Sequence, residues 1–251
     1  MVYYVGNNHP HGCFNSYQSH FSMNILGIQL TLEDFKEYVK GYNFGKLPPD
    51  RLVIHHTWKP RIDDWNGKTT LKGLKSYYEG KGWNAGPHLF IAEDGIWLFT
   101  PMYDVGIHAA SGNAGYKFGR LQWYSLGIEV VGDYDTKEWT GKTKQNALGA
   151  IKILKDHLKI DNEKVFFHRD FSPKTCPGAA IQKAWLFQEL EMFGKPAPVV
   201  NDNVSPWAKD GWEWAQGLSL DNSIHPQKQV TAEWVFAIMK KLADIGTFKQ
   251  K

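Results

Sequence analysis

The sequence predicts an α/β fold: a mixed central β-sheet flanked by helices, plus a small C-terminal helical segment. Three observations predict it. Short apolar runs of strand type alternate with longer runs of helical period. An Asp-Gly pair, Asp94-Gly95, sits between two strand-like runs and marks one hairpin. A Pro-bearing stretch without period, starting at Gly194, separates a further helical pattern from the rest.

The elements follow in chain order. Residues 1–30 show no clear period. Thr31 caps a helix running to about Lys40, with Asp34 at the third helical position in a capping-box-like arrangement. Leu47-Pro48-Pro49-Asp50 is a break. Leu52, Val53 and Ile54 form a continuous apolar run, so Arg51 to His55 reads as a strand buried on both faces. Leu71 to Gly80 reads as a helix with Leu71, Leu74 and Tyr77 or Tyr78 on one side. Pro87 to Ile91 and Ile96 to Phe99 are the hairpin strands, joined at Glu93-Asp94-Gly95 by a turn expected to be of a primed type. Leu126 to Val131 is another buried strand, ended by Gly132-Asp133. Leu148, Ile151, Leu154 and Leu158 make one stripe of a helix from Gln145 to Leu158. Val165-Phe166-Phe167 is a further strand. Ala180 to Phe193 is a helix with Ile181, Trp185 and Leu186 inward. Beyond a linker, Ser205-Pro206 opens one helix, and Thr231 opens a second with Trp234, Val235, Ile238, Met239 and Leu242 on its apolar face. The expected organisation is an N-terminal extension (1–44), a main domain (45–193), a linker (194–203) and a helical segment (204–251) that is short for independent stability.

Composition narrows the function classes. The chain has 251 residues and a formal net charge of +3, with no dense basic patch of the kind a nucleic-acid binder needs. No run of about 18 apolar residues is present, so no transmembrane helix is expected. Residues 1–22 lack a basic start followed by an apolar stretch, so no secretory signal is expected and synthesis is placed in the cytoplasm. Cys13 and Cys176 are then not expected to pair. Eleven Trp and eleven Tyr either fill the core or line a groove where flat rings stack on sugars.

Three places carry chemistry. His168 and Cys176, eight apart in a Pro- and Gly-bearing loop after a strand, can both point at one metal, and zinc accepts imidazole and thiolate. Such a pair also occurs as plain structure. His55-His56 ends a buried strand; neighbours on a strand point to opposite faces, so one of them can supply a third ligand. Glu129 is a carboxylate within the apolar strand Leu126 to Val131. It is either a structural ion pair, with Arg169 as the candidate partner, or a general base near a metal.

Five segments appear together and in order: Val53-Ile54-His55-His56-Thr57, Gly86-Pro87-His88-Leu89-Phe90-Ile91, Gly106-Ile107-His108-Ala109, Ser125-Leu126-Gly127-Ile128-Glu129-Val130-Val131-Gly132, and His168-Arg169-Asp170 leading to Lys174-Thr175-Cys176-Pro177-Gly178. Over roughly residues 45–192 the set resembles the N-acetylmuramoyl-L-alanine amidases of the type-2 amidase family, which includes phage endolysins and is related to peptidoglycan recognition proteins. The resemblance implies a mixed sheet flanked by helices and cleavage of the amide between N-acetylmuramic acid and L-alanine. It implies Zn2+ held by His55, His168 and Cys176, Glu129 as general base, Lys174 as oxyanion stabiliser, and His108 in the substrate groove. Trp58, Trp83 and His88 flank these motifs and are candidates to contact glycan or peptide. One departure stands out: where several phage amidases carry a tyrosine, this chain has Pro87, so Glu129 is expected to take that role.

The tail (Val204-Ser205-Pro206-Trp207, Trp212-Glu213-Trp214, Val230-Thr231-Ala232-Glu233-Trp234) resembles S-layer homology segments and implies cell-wall binding, with a docking helix pair as the alternative. The expected partner is bacterial peptidoglycan, with no nucleic acid and no membrane insertion, for a monomer released as a host-cell lysin. The competing expectations are a non-catalytic peptidoglycan-binding module, a cytosolic muropeptide-recycling amidase, a cysteine peptidase using Cys176, or an unrelated zinc protein such as a deaminase.

Overall fold

The computed structural model describes residues 23–195. Their strands are β1 (Ile28–Leu30), β2 (Arg51–His56), β3 (Leu89–Ala92), β4 (Gly95–Leu98), β5 (Ala114–Lys117), β6 (Arg120–Val130) and β7 (Val165–Phe167). Their α-helices are α1 (Leu32–Gly41), α2 (Gly67–Gly80), α3 (Gly141–Leu158) and α4 (Lys183–Met192). The strands form one sheet in the order β1-β4-β3-β6-β2-β7, with β5 paired to β6. β2 lies parallel to β6 and β7, and β3 parallel to β6; β4 is antiparallel to β1 and β3, and β5 to β6. The sheet is mixed, and helices cover it.

Strand alternation divides the core in two. Leu52 and Ile54 of β2, Leu89 and Ile91 of β3, and Leu126, Ile128 and Val130 of β6 pack in one cluster with Phe35 of α1, Leu148, Ile151 and Leu154 of α3, and Leu186 of α4. Phe90 and Ala92 of β3 and Trp97 of β4 join the other cluster, with Leu71, Leu74 and Tyr78 of α2. Alternate residues therefore face different layers. On β6 this leaves Ser125, Gly127 and Glu129 on the side away from α3.

Several boundaries differ from the sequence reading, each for a physical reason. α2 starts at Gly67 and α3 at Gly141 because their first turns are polar, so the apolar stripe begins a turn late. α4 starts at Lys183; Ile181 is still fully buried. Tyr78, not Tyr77, is the inward residue of α2: Tyr77 is 57% exposed. The β3–β4 turn is not primed. Its central residues, Glu93 and Asp94, keep negative φ, and Gly95 instead takes φ 141° opposite Ala92. A Cβ on Gly95 would lie 2.7 Å from the Leu30 carbonyl oxygen. Residues 23–44, within the expected N-terminal extension, pack on the main domain: β1 joins the sheet edge, and Phe35 and Val39 of α1 lie in the core. Residues 1–22, the linker from residue 196 onward and the expected helical segment 204–251 lie outside the described residues.

Candidate active site

The parallel register of the central strands gathers the predicted residues. His55 of β2 sits opposite Glu129 of β6. Ile54 sits opposite Phe167, the last residue of β7, so the chain leaves β7 directly into His168 beside His55. Alternation on β2 sends Leu52 and Ile54 into the α3-side core and turns His55 the other way. His56 points elsewhere: its Nδ1 accepts the Tyr134 N–H at 3.2 Å.

His55, His168 and Cys176 each present one ligand atom, all within 4.8 Å of one another. The Nδ1 atoms of His55 and His168 are 3.0 Å apart, and Cys176 Sγ is 3.7 Å from His55 Nδ1. A tetrahedral zinc with Zn–N about 2.0–2.1 Å and Zn–S about 2.3 Å sets N···N near about 3.3 Å and N···S near about 3.6 Å. The donor set therefore fits zinc in both chemistry and spacing, and three protein donors leave one coordination position open. Burial, with the neighbouring His108 and His168, holds His55 well below the usual histidine range, which keeps its ring neutral and able to ligate. Burial pushes the Cys176 thiol up, and the Glu129 charge adds to it. The backbone N–H of His56 donates to Cys176 Sγ at 3.4 Å, which favours the thiolate.

A chain of hydrogen bonds fixes His55. Ligation of a metal through Nδ1 would leave the proton on Nε2, where it would donate to His108 Nδ1 at 3.1 Å. His108 Nε2 then donates to Ser125 Oγ at 3.3 Å, and Ser125 Oγ donates to the Gly112 carbonyl at 2.6 Å. Such outer hydrogen bonds set a ligating histidine's tautomer and orientation. Room for the His108 ring comes from Gly127, where a Cβ would lie 2.5 Å from the ring. The Asn113 side chain accepts from the backbone N–H groups of His108 and Ala109. Ser125, Gly127 and Asn113 had no separate role in the sequence reading. Their signal, a small residue facing a histidine across the sheet, exists only in three dimensions.

His88 is placed differently from the sequence expectation. It is fully buried, its Nδ1 accepts the Gly127 N–H at 2.9 Å, and its Nε2 donates to the Asp104 carbonyl at 3.0 Å. Both ring nitrogens are used inside the protein, so His88 does not contact a substrate; it braces the backbone beneath His108. Burial pushes its pKa down to about 4.

The loop carrying Cys176 is held from within. The Arg169 guanidinium donates to the carbonyls of Thr175 at 3.0 Å, Gly178 at 2.9 Å and Ile181. Arg169 is thus a loop clamp and not the ion-pair partner of Glu129. Asp170 accepts the Phe167 N–H and pairs with Lys183. His56, Asp133 and Asp135 form a second cluster of donor atoms, but Asp133 faces Arg61 and accepts the Asp135 N–H, while Asp135 accepts the Ala179 N–H. They brace the Tyr134 turn against this loop.

A cleft of about 920 Å³ opens over the cluster, lined by His108, Glu129, His168, Lys174 and Cys176 among others. The Glu129 side chain is 14% exposed, lies 3.9 Å from His55 Nδ1, and its Oε2 has no hydrogen-bond partner among the described residues. Burial pushes its carboxyl up to about 8, against the opposing pull of the Lys174 ammonium. Lys174 stands exposed at the rim. Trp58 and Trp83 line the same cleft, as does Pro87. Trp83 stacks on Tyr78 with ring centroids 5.5 Å apart, and Trp58 is 53% exposed. The cleft thus combines three donors that could hold a metal, a carboxylate with one unbonded oxygen, a cation and two tryptophan rings.

A family model described as N-acetylmuramoyl-L-alanine amidase matches residues 45–179. No curated protein matches the chain. Among solved structures, the endolysin N-acetylmuramoyl-L-alanine amidase LysCS from Clostridium intestinale is 20% identical, with 58% of this chain and 85% of that one covered and a TM-score of 0.45. Drosophila PGRP-LB is 22% identical, covering 68% and 96%, with a TM-score of 0.47. The Ph2119 endolysin from a Thermus scotoductus bacteriophage is 19% identical, covering 62% and 96%, with a TM-score of 0.42.

Proposed function

The chain belongs to the N-acetylmuramoyl-L-alanine amidase family, and from that premise we propose that it is a zinc-dependent hydrolase of the bond between N-acetylmuramic acid and the L-alanine of the stem peptide. The observation that carries the proposal is the Glu129 carboxyl, its Oε2 without a hydrogen-bond partner among the described residues, beside three donors that suit zinc and leave a fourth position open.

His55, His168 and Cys176 would hold the ion, with His108 and Ser125 fixing His55 and Arg169 fixing the cysteine loop. When bound there, zinc supplies a Lewis acid for the amide carbonyl and lowers the pKa of a water toward about 7. Glu129 accepts a proton from the attacking water and delivers it to the amide nitrogen as the C–N bond breaks, so alanine departs as a neutral amine. Burial raises its carboxyl and a bound cation would lower it again, so the group could both take a proton and return it. Lys174 donates to the oxyanion that develops on the carbonyl oxygen, a contribution of about 3 kcal/mol for one good donor. Trp58 and Trp83 offer flat faces for the sugar rings. Pro87 has no hydroxyl to contribute, which leaves the proton transfer to Glu129. By the sequence resemblance, the proposal extends to a phage lysin acting as a monomer on the host wall, with residues 204–251 as a wall-binding segment.

The test is digestion of purified peptidoglycan by the wild type, by chelated protein, and by chelated protein with zinc restored. Newly exposed alanine amino groups should appear with the first, vanish with the second and return with the third. Zinc-loaded protein that binds walls and exposes no amino groups would establish a recognition module instead.

A further inference from the structure

The hairpin of β5 and β6 closes at the end of the sheet opposite the cleft. Lys117 pairs with Arg120, so the turn consists of Phe118 and Gly119, with φ of 50° and 72°. Two positive φ values in a two-residue hairpin loop make a primed turn, whose first position favours Asn, Asp or Gly. Phe is a poor choice there, because a bulky L side chain at positive φ is strained. It is also 92% exposed. The fold thus holds a strained backbone and a hydrated aromatic ring at one position, and an outlier of that kind points to function.

The finger is braced at its base, below a register shift between Gly115 and Tyr116. The Trp123 ring covers Gly115 across the strands, where a Cβ would meet its Nε1 at 2.2 Å. The Arg51 guanidinium stacks 3.5 Å from the centroid of the same ring. Tyr116, beside the tip, is 63% exposed. Between Ala114 and Tyr124 the charged residues are Lys117 and Arg120, both cationic.

We propose that the tip, residues 116–120, docks the protein on an anionic lipid bilayer, with Phe118 seated at the headgroup boundary and Lys117 and Arg120 on lipid phosphates. A bilayer is the partner that such a tip fits. A ring projecting from a convex turn finds no complementary hollow on a rigid glycan, and an anionic wall polymer would use the two cations while leaving the ring in water. An interface closes around a protruding aromatic and supplies negative charge beside it. No described helix is long and apolar enough to cross a membrane, so this is surface docking. Glu129 lies nine residues on from Arg120 along β6, about 30 Å at strand spacing. A docked tip therefore leaves the cleft free and facing away from the lipid. The inference does not rest on the amidase reading.

The experiment is co-sedimentation of the full chain with phosphatidylcholine vesicles, with and without phosphatidylglycerol, for the wild type, Phe118→Asn and a Lys117→Glu/Arg120→Glu double variant. Asn suits the left-handed turn, so the first variant should fold with an unchanged or higher melting temperature. The wild type should bind the anionic vesicles only. Each variant should bind them at least about tenfold more weakly. Wild type that ignores anionic vesicles overturns the proposal, as does Phe118→Asn that binds like the wild type. Concentration-dependent dimers dissolved by Phe118→Asn would assign the tip to a second copy and overturn it too.

Discussion

At the scale of single residues, the site depends on partners that never touch substrate. His108 receives the Nε2 proton of His55 and passes the constraint to Ser125. Ser125→Ala should therefore weaken zinc binding by about 10- to 100-fold, measured by competition with a chromogenic chelator, while the fold persists. His88 makes a different prediction. Its folded pKa of about 4 lies below the unfolded value of about 6.5. Above about 6.5 it is neutral in both states and the folded protein keeps its full stability. As pH falls from about 6.5 to about 4 the unfolded chain binds the proton first, so stability drops through that window. His88→Gln should flatten this decline in a series of thermal melts. His55 and Glu129 stand out in the sequence because a polar residue at the end of or within an apolar strand needs a reason, but only the family resemblance suggests their roles. His88 was misplaced because a histidine at a strand edge gives no sign of which face it takes; only the paired Gly127 and Asp104 groups settle that.

At the scale of elements, the loop after β7 is the weak point of the metal set. Gly178 holds φ 115°, and a Cβ there would lie 2.3 Å from the Tyr134 carbonyl oxygen. Gly178→Ala should displace the Cys176 loop, cost about 1–3 kcal/mol of stability, and lower zinc occupancy as read by metal analysis. Apolar runs and periodicity located β2, β3, β4, β7, the C-terminal half of β6 and helices α2, α3 and α4, and the Thr31 cap located α1. These signals missed β1, which is three residues at an edge, and β5. The β5–β6 turn was unreadable because Phe118-Gly119 is not a hairpin dipeptide that turn chemistry selects. A local rule is broken where the proposed docking tip lies.

At the scale of the molecule, the sheet separates its two tasks: a hydrophobic layer toward α3 that stabilises the fold, and an opposite layer that gives way to the histidines and Glu129 at the C-terminal ends of β2 and β6. If the ion is held only by the folded state, zinc at about 100 times its dissociation constant should add about 2.7 kcal/mol. Chelation should then lower the melting temperature by about 5–10 °C, and calorimetry with and without EDTA would reveal it. An unchanged transition would mean that the three donors hold nothing.

The central claim is that zinc and Glu129 act together on a scissile amide, and Glu129→Gln tests it most directly. Zinc content and the rate of alanine amino-group release would be measured on the same samples of wild type and variant. The account predicts one zinc per chain in both, with the variant slower by about 10²- to 10⁴-fold. A zinc-loaded variant as fast as the wild type, or a wild type that stays active without metal, would contradict it.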